Sequence, residues 1–289
     1  MNTTWSPLAL THQDILAPRW EALCRDQGIQ LSEYSFSNDF LFREIHKYAF
    51  TECEGMACVT GQLLNGKTFV IPSTNLLKID SQKLKALLNF TDGIFPVPDV
   101  WLPAFDLLSV QKEYFNEYSD YLFKTENIKD LLGPSLSSRR NLLHQFLDSY
   151  KIDTFELTSE EVPKALDVLE QWQASHQTGH QTDYLPCKQA LHHMDALRLK
   201  GRICYANGDP AGFTIGELLG PETAVLHFSK TLPQYKGETP FLYSDFAKNL
   251  PPNILWINME QDLGLESLRK AKQAYAPETL LKKWFVSWK

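Results

Sequence analysis

Several features that would assign this 289-residue chain to a class are absent. Its five cysteines are scattered and odd in number, and no two are spaced as Cys-x-x-Cys, so neither a disulfide framework nor a zinc site is indicated. No apolar run approaches the ~20 residues that a membrane-spanning helix requires. The first residues, MNTTWSPLAL, lack a basic segment followed by an apolar one, so we expect no signal peptide. These absences predict a cytoplasmic protein with no membrane span and no bound metal.

A globally basic surface is also lacking, because the net charge is −7, and we therefore expect no DNA partner. The charge is unevenly distributed, however. From Leu265 to the C-terminus the net charge is +4, and the remainder of the chain carries −11. A local basic patch of this kind suits a small phosphate-bearing ligand or the end of a tRNA better than a long duplex.

Two halves with a similar order of elements are present instead. Asn65-Gly66 and Asn207-Gly208 each separate two strand-like runs and predict a hairpin in each half. Helical periods precede both hairpins, and a helix and a strand follow them. We predict an N-terminal domain over residues 1–130 and a C-terminal domain over 131–289. Ile94–Leu102, rich in proline, is predicted to be an edge strand or extended loop, and Leu280–Trp288 a single last strand.

The segment Asn258–Tyr275 concentrates polar residues where a predicted strand (Ile254–Ile257) meets a helix starting at Leu265. Such strand ends are common places for chemistry in α/β proteins. On a helical projection, Lys272 falls inside an apolar arc and Arg269 lies at its edge. Either the lysine stem reaches around to water, or Arg269 and Lys272 together form a cationic pocket for a phosphate or carboxylate.

The order of elements in the second half is similar to GNAT-type N-acetyltransferases, and Gln234–Thr239 resembles their phosphate loop, Q/R-x-x-G-x-G/A. In that loop a glycine lets backbone N–H groups approach a pyrophosphate. Tyr235 and Gly237 are the candidate contacts here. The match is partial, because Thr239 takes the final small position and Pro240 follows it. An ordinary strand-to-helix turn is the alternative reading.

A more specific resemblance spans roughly Leu31 to Trp288. It rests on ordered segments through the chain, namely LSEYSFSNDFLFR, EYSDYLF, SSRRNLLHQF, GDPAGFTIGELL, TAVLHFSK and INMEQDLGLESLRKAK. In this combination the chain resembles the C-terminal domain of phosphatidylglycerol lysyltransferases and its soluble relatives. The resemblance implies an α/β (α+β) fold of two tandem GNAT-like acyl-CoA N-acyltransferase units, each a mixed, mostly antiparallel sheet flanked by helices. Fem-type peptidoglycan aminoacyltransferases share that architecture.

The function implied by the resemblance is transfer of an aminoacyl group from aminoacyl-tRNA to an amine or hydroxyl acceptor. The acceptor would be a small molecule, a lipid headgroup or a peptide. The multi-span membrane portion of the lysyltransferases is absent from this sequence, which puts a lipid acceptor in doubt. Ala271 stands where acetyl-CoA-dependent enzymes carry a catalytic tyrosine, which lowers the expectation of plain acetyl-CoA chemistry.

Transfer from an ester needs a proton acceptor for the nucleophile and stabilisation of an oxyanion. Glu260, Asp262 and Glu217 are candidate proton acceptors, and Lys272 could stabilise developing charge. We predict a catalytic set of Lys272, Glu260 and Asp262. The predicted substrate- or phosphate-binding set is Arg269, Asn258, Gln261, Tyr235, Gly237, Glu217 and His227.

The histidines are not expected to bind a metal or to act in catalysis. His176 and His180 have the spacing of a metal pair, but the segment contains Gly179 and reads as a loop, so no metal is predicted. His227, on a predicted strand, is expected to line a core or pocket rather than act in catalysis. Glu33, Asn38 and Arg43 are expected to make caps and inter-domain contacts rather than to take part in chemistry.

Three functional hypotheses follow. The first is the aminoacyl- or acyltransferase described above. The second is an acyl-CoA-dependent N-acyltransferase, which would use acyl-CoA at the Gln234–Thr239 loop. The third is a non-catalytic binding module on the same scaffold, favoured if Lys272 is exposed and unpartnered.

Overall fold

The computed structural model describes residues 5–175 and 182–289, which form two seven-stranded sheets flanked by helices. The strands are β1 Ser6–Pro7, β2 Ala49–Cys53, β3 Met56–Gln62, β4 Thr68–Pro72, β5 Ile94–Val97, β6 Val110–Tyr114, β7 Asp120–Lys124, β8 Ile152–Glu156, β9 Lys200–Ala206, β10 Asp209–Leu219, β11 Thr223–Thr231, β12 Trp256–Asn258, β13 Thr279–Leu281 and β14 Trp284–Trp288. The α-helices are α1 Gln13–Gln27, α2 Phe36–His46, α3 Ser81–Leu88, α4 Thr125–Asp130, α5 Ser137–Ser149, α6 Val162–Ser175, α7 Tyr184–His192, α8 Glu238–Lys248 and α9 Glu266–Gln273.

The two sheets have the same internal plan. The first runs β1-β2-β3-β4-β5-β14-β6 and the second, read from its other edge, runs β8-β9-β10-β11-β12-β7-β13. In each, four antiparallel strands are followed by a single parallel pairing, β4 with β5 and β11 with β12. Two helices precede the second strand of each sheet, and one helix connects its parallel pair. The repeated order suggested by the sequence is therefore present in the topology.

Each half of the chain contributes one strand to the sheet of the other half. β7 precedes the predicted division of the chain but pairs with β12 and β13 in the second sheet. β14, at the C-terminus, pairs with β5 and β6 in the first sheet. Each sheet is completed by a strand from the opposite side of the predicted division at residues 130 and 131. The exchange brings Asp120, the first residue of β7, and Lys283, just before β14, together at the contact between the two units.

Both predicted hairpins form where the sequence placed them. Asn65-Gly66 joins β3 to β4 and Asn207-Gly208 joins β9 to β10. Gly66 and Gly208 have φ values of 90° and 92°, a region that favours glycine because it has no Cβ. A large apolar core lies between each sheet and its helices and includes Trp20, Trp101 and Phe213.

Two strand predictions were wrong. Ile94–Val97 is an interior strand, between β4 and β14, rather than an edge strand. It tolerates Pro96 because its pairing is short, with Ile94 and Val97 as the residues in register. The segment Leu280–Trp288 is two strands rather than one. β13 ends at Leu281, and the chain then crosses through Lys283 to the other sheet.

Several helix boundaries also differ. The periodicity of the sequence predicts a helix over Lys188–Leu199 and a helical pattern over Leu31–Phe50. The structure has α7, Tyr184–His192, in the first region, and α2 followed by the start of β2 in the second. The helical projection predicts an apolar face of Leu265, Leu268, Ala271 and Tyr275, and this face forms only in part. Leu265 is 43% exposed, whereas Tyr275, which follows the end of α9, is buried. Among the described residues, no helix is both long and apolar enough to cross a membrane.

Candidate functional site

The candidate site begins where β11 and β12 separate. Their parallel pairing covers only Thr223–Val225 with Trp256–Asn258. β11 continues to Thr231, whereas the chain leaves β12 into the loop 259–265, which leads to α9. His227 therefore lies on β11 two residues beyond Val225, the last residue that pairs with β12. It faces the start of this loop.

His227 is held between two carboxylates at this separation. Its Nδ1 lies 2.7 Å from Glu260 Oε1 and its Nε2 lies 2.9 Å from Glu217 Oε1. The first unit completes the cluster from the N-terminus of α2. Ser35 Oγ donates to Glu217 Oε1, and Asn38 Nδ2 donates to Glu260 Oε1 over 2.9 Å. We call these five residues the His227 cluster.

The His227 imidazole is fully buried, whereas the Glu217 and Glu260 side chains are each 12% exposed. Burial alone would lower the pKa of His227, but its hydrogen bonds and charge interactions with both glutamates raise that pKa to about 10. At neutral pH the imidazole is therefore protonated and balances one of the two carboxylate charges. It cannot accept a further proton, so a proton acceptor in this cluster has to be a carboxylate.

The carboxylates of Glu217 and Glu260 each use only one oxygen in the hydrogen bonds of this cluster. Both hydrogen bonds to Glu217 and both to Glu260 from side chains end on Oε1. Within residues 5–175 and 182–289, no hydrogen bond reaches either Oε2. Because both side chains are partly exposed, these oxygens are the atoms of the cluster that can meet a substrate.

Lys272 fixes the shape of the loop that carries Glu260. Its ammonium donates to the carbonyl oxygens of Met259 at 2.5 Å, Glu260 at 3.0 Å and Gln261 at 2.6 Å. Burial lowers the pKa of Lys272 to about 8, and the charge of Glu260 opposes that change. Glu260 has a φ of 58°, an unfavourable conformation for a side-chain-bearing residue, so the loop needs such support.

Arg269 supports the same loop at Asp262, the residue that follows the three bound by Lys272. Its guanidinium pairs with Asp262 through Nε at 2.9 Å and through a second nitrogen, NH2, at 3.1 Å, and Tyr121 donates to Asp262 at 2.7 Å. Burial would raise the pKa of Asp262, but these hydrogen bonds lower it below its usual value. The carboxylate is therefore engaged with partners of its own chain.

Behind the loop lies an ion cluster at the contact between the two units. The fully buried ammonium of Lys283 lies 2.6 Å from Asp120 and 2.7 Å from Glu33, and it donates to Gln261 Oε1 at 2.9 Å. Asn258 links the two clusters, because its amide donates to Asp120 at 2.8 Å and its oxygen accepts from the backbone N–H of Glu260. Burial raises the pKa of Glu33 to about 7 despite the adjacent ammonium.

The second predicted loop, 232–237 between β11 and α8, is packed differently. A Cβ added to Gly237 would lie 2.2 Å from the carbonyl oxygen of Leu142 in α5, so helix α5 closes against this turn. The next residue, Glu238, is fully buried against Gly212, and burial raises its pKa to about 8. Tyr235 packs on Tyr150 at a ring distance of 5.4 Å.

The sequence of residues 27–287 matches the family model described as phosphatidylglycerol lysyltransferase, C-terminal. The chain belongs to this family. No curated protein matches the chain by sequence. The family was expected from the ordered sequence segments, and that expectation is confirmed.

Solved structures share the fold of this family member. A conserved protein of unknown function from Bacteroides thetaiotaomicron is 24% identical, with a TM-score of 0.82 and 99% of both chains covered. L-PGS from Bacillus licheniformis is 11% identical, with a TM-score of 0.55, and the match covers 83% of this chain and 84% of that one. FemX is 8% identical, with a TM-score of 0.57 and coverage of 99% and 97%. The predicted class, two tandem GNAT-like units, is confirmed.

Most of the predicted site residues in this lysyltransferase-family chain lie together, in or beside the loop 259–265. The residues in this group are Glu217, His227, Asn258, Glu260, Gln261, Asp262, Arg269 and Lys272. Tyr235 and Gly237 lie apart, at the other end of β11. Among the described residues, no three His, Cys, Asp or Glu side chains form a metal-type group. His176 and His180 fall outside the described residues.

The sequence indicated inter-domain contacts by Glu33 and Asn38, which form with Lys283 and Glu260. It did not indicate Ser35 or the residues that the exchanged strands bring in. Ser35 and Asn38 supply two of the hydrogen bonds of the His227 cluster, and Asp120 and Lys283 hold the ion cluster. Ser35 had a usable signal, because it precedes α2 and accepts from the backbone N–H of Asn38 as a helix cap. Asp120 and Lys283 had none, since each is far in sequence from the residues it contacts.

Proposed function

We propose that this protein is an acyltransferase that moves an aminoacyl group from aminoacyl-tRNA to an amine or hydroxyl acceptor. The supporting observation is that a family member over residues 27–287 carries, between its two units, a polar cluster with two carboxylate oxygens left open. The lysyltransferase name of the family supports an aminoacyl donor. The acceptor is a lipid headgroup, a peptide or a small molecule.

In the proposed reaction the acceptor's amine or hydroxyl attacks the ester carbonyl of the donor. A bond forms from the nucleophile to the carbonyl carbon, and the ester bond to the tRNA oxygen breaks. Glu260 or Glu217 accepts the proton of the nucleophile through its open Oε2, and the same proton passes to the departing oxygen. His227 stays protonated and keeps the two carboxylates in place.

Lys272 and Arg269 act in this proposal through the loop 259–265 rather than on the reacting atoms. All three N–H groups of the Lys272 ammonium are engaged by loop carbonyls. Lys272 is therefore a positioning residue for Glu260. Asp262 has a similar supporting role, because Arg269 and Tyr121 occupy its oxygens.

The test is incubation with tRNA charged with radiolabelled amino acids, with phosphatidylglycerol vesicles, peptides and small amines as acceptors. We expect label transfer that falls at least ~100-fold in Glu260→Gln, a loss typical of removing an acid–base group. Glu266→Gln, at the exposed start of α9, is the matched control and should retain activity. Absence of transfer with every acceptor, together with absence of charged-tRNA binding, would contradict the proposal.

An acyl-CoA-dependent reaction is the second candidate, favoured by the Gln-x-x-Gly turn at the N-terminus of α8. Against it, α5 closes on Gly237, since a Cβ there would lie 2.2 Å from the carbonyl oxygen of Leu142, and the carboxyl group of Glu238 is buried against Gly212. A thermal-shift titration with acetyl-, succinyl- and long-chain acyl-CoA separates the two. A saturable rise in melting temperature would support acyl-CoA, and no shift at millimolar ligand would exclude it.

A further inference from the structure

Glu33 lies in a short segment of the first unit that contacts both the His227 cluster and the ion cluster. Ser35 and Asn38, further along this segment, donate to the two glutamates of the His227 cluster. Glu33 itself pairs with the ammonium of Lys283 at 2.7 Å, and its side chain is 8% exposed. No step of the proposed reaction uses Glu33, although it is a buried, ionisable group beside the site.

Two chains of hydrogen bonds run from the Lys283 ammonium to Glu260. In the first, the ammonium donates to Gln261 Oε1 at 2.9 Å, and Gln261 directly follows Glu260. In the second, the ammonium lies 2.6 Å from Asp120, whose other oxygen accepts from the Asn258 amide at 2.8 Å. Asn258 Oδ1 in turn accepts from the backbone N–H of Glu260 at 2.6 Å. A change in where Lys283 is held therefore reaches Glu260 by two routes.

The buried charges around Lys283 do not balance. Asp120 and Glu33 lie 2.6 Å and 2.7 Å from the same ammonium, and all three groups are buried. Two ionised carboxylates and one ammonium leave one negative charge unbalanced, which is costly away from water. Burial raises the pKa of Glu33 to about 7, although the charge of Lys283 opposes that change. Glu33 is therefore the group of this cluster that gains or loses a proton near neutral pH.

The other titratable groups near Glu33 stay neutral in this range. They are Asp39 on α2, Tyr34, which follows Glu33, and Tyr48, which precedes β2. Burial raises the pKa of each well above its ordinary value, and the charge of Glu33 adds to that effect. Neither carboxyl oxygen of Asp39 has a hydrogen-bond partner among the described residues, which also favours its neutral form. The charged groups that face Glu33 are then those of the ion cluster.

We propose that Glu33 is a positioning residue for Glu260 and that its charge acts through Lys283. When Glu33 is neutral, the ammonium is drawn toward Asp120 and Gln261 and holds the loop of Glu260 more firmly. When Glu33 is ionised, the ammonium is shared with it, and the added negative charge makes Glu260 a stronger proton acceptor. This inference rests on the proposed function, because it concerns a carboxylate that takes the proton there.

The first test follows the side-chain amide signals of Gln261 in nitrogen-15 spectra of the unmodified protein as the pH is raised. The signals are assigned by their absence in Gln261→Glu. We expect them to move with a midpoint near pH 7, and this movement should be absent in Glu33→Gln, which keeps an acceptor for Lys283. A separate change near pH 8, from Lys272, should remain in that variant. Glu21→Gln, exposed on α1, is the matched control and should titrate as the unmodified protein does.

The second test compares rates of transfer from charged tRNA at saturating donor. Dividing the rate of the unmodified protein by that of Glu33→Gln cancels the ionisation of donor and acceptor. We expect this ratio to rise about threefold as the pH passes through about 7, which corresponds to a rise of about half a unit in the pKa of Glu260. With Glu21→Gln in place of Glu33→Gln, the ratio should stay constant. The KM for charged tRNA should be the same in all three proteins, because Glu33 acts on the loop and not on the substrate.

Failure of this inference is distinct from failure of the proposed function. Gln261 signals that stay in place through neutral pH in the unmodified protein would overturn it, and this measurement needs no variant to fold. A movement that persists in Glu33→Gln would overturn it as well. If the signals titrate as expected but no transfer is found, the coupling through Lys283 stands and the transferase proposal fails. If transfer occurs with a constant rate ratio, the proposed function stands and the positioning role of Glu33 is wrong.

Discussion

Two strand-to-helix connections in the second sheet invite comparison. The loop 232–237 follows β11 and carries a recognisable glycine pattern, whereas the loop 259–265 follows β12 and matches no short motif. In the structure the first is closed by α5, with Gly237 against the backbone of Leu142. The second is held by three cations, Lys272, Arg269 and Lys283, and presents Glu260 to His227.

The difference shows that a glycine pattern specifies a backbone shape but not an open site. Whether a turn can receive a ligand depends on what packs on its outer side, and α5 does so here. The loop 259–265 gains its arrangement from residues more than 100 positions away, including Asn38 and Tyr121. Four experiments, taken from the largest expected effect to the smallest, test this contrast.

Lys283→Met should be the most damaging change. It removes the buried ammonium that neutralises Asp120 and Glu33 and leaves their charges without a partner. Breaking a buried pair in this way costs about 3–5 kcal/mol. Urea unfolding monitored by tryptophan fluorescence measures the loss, and Lys282→Met, one residue away over Tyr114, is the control and should cost under ~1 kcal/mol. Equal losses in the two variants would show that the ion cluster does not stabilise the contact between units.

Gly237→Ala and Gly264→Ala compare the two loops directly. Both glycines have positive φ, 92° and 77°. A Cβ at Gly237 would collide with Leu142, so conformational strain and overpacking together predict a loss of about 2–4 kcal/mol. At Gly264 the nearest atom would be 3.7 Å away, and strain alone predicts about 1 kcal/mol. Chemical denaturation of the two variants checks this, and a costlier change at Gly264 would mean that α5 does not close the first loop.

Lys272→Met keeps length and apolar packing but removes the three hydrogen bonds to the loop carbonyls. We expect a loss of about 1–3 kcal/mol in the free energy of unfolding, since the carbonyls lose a buried donor. The His227 ring signals in proton–nitrogen spectra should also move, because the loop positions Glu260. Lys270→Met, on the exposed side of α9, is the control. Unchanged His227 signals in a folded Lys272→Met protein would rule out the positioning role.

Glu260→Gln should have the smallest effect on stability and a specific effect on titration. The folded-state pKa of His227, about 10, lies above its unfolded value of 6.5, so its stabilising contribution is full below pH 6.5 and is lost as pH rises through about 10. Removing one carboxylate should lower this pKa by about one unit, or ~1.4 kcal/mol. Titration of the imidazole signals measures it, with exposed His144 as the internal reference. A His227 pKa that stays the same in the variant would contradict the hydrogen bond to Glu260.

Much of the local structure could be predicted from the sequence. Asn65-Gly66 and Asn207-Gly208 identified both hairpins, and the polar run after Trp256 identified the loop that carries Glu260. The helical projection places Lys272 inside an apolar arc, and in the structure its ammonium is buried against the carbonyl oxygens of the loop. Its three carbonyl partners could not be foreseen, because backbone orientation in a loop leaves no pattern in side-chain order. The two glutamate partners of His227 could not be foreseen either, because they lie 10 and 33 residues away in the sequence.

The sequence by itself determined the periodic elements, the hairpin turns and the family, because these depend on residues near one another in the chain. Only the tertiary structure decided that β7 and β14 would change sheets. It also decided that Ser35 and Asn38 would reach the glutamates and that α5 would close the glycine turn. Such contacts form only after distant segments pack together. The free energy of pairing Lys283 with Asp120 and Glu33 then depends on burial, which is a property of the folded chain and not of any short stretch of it.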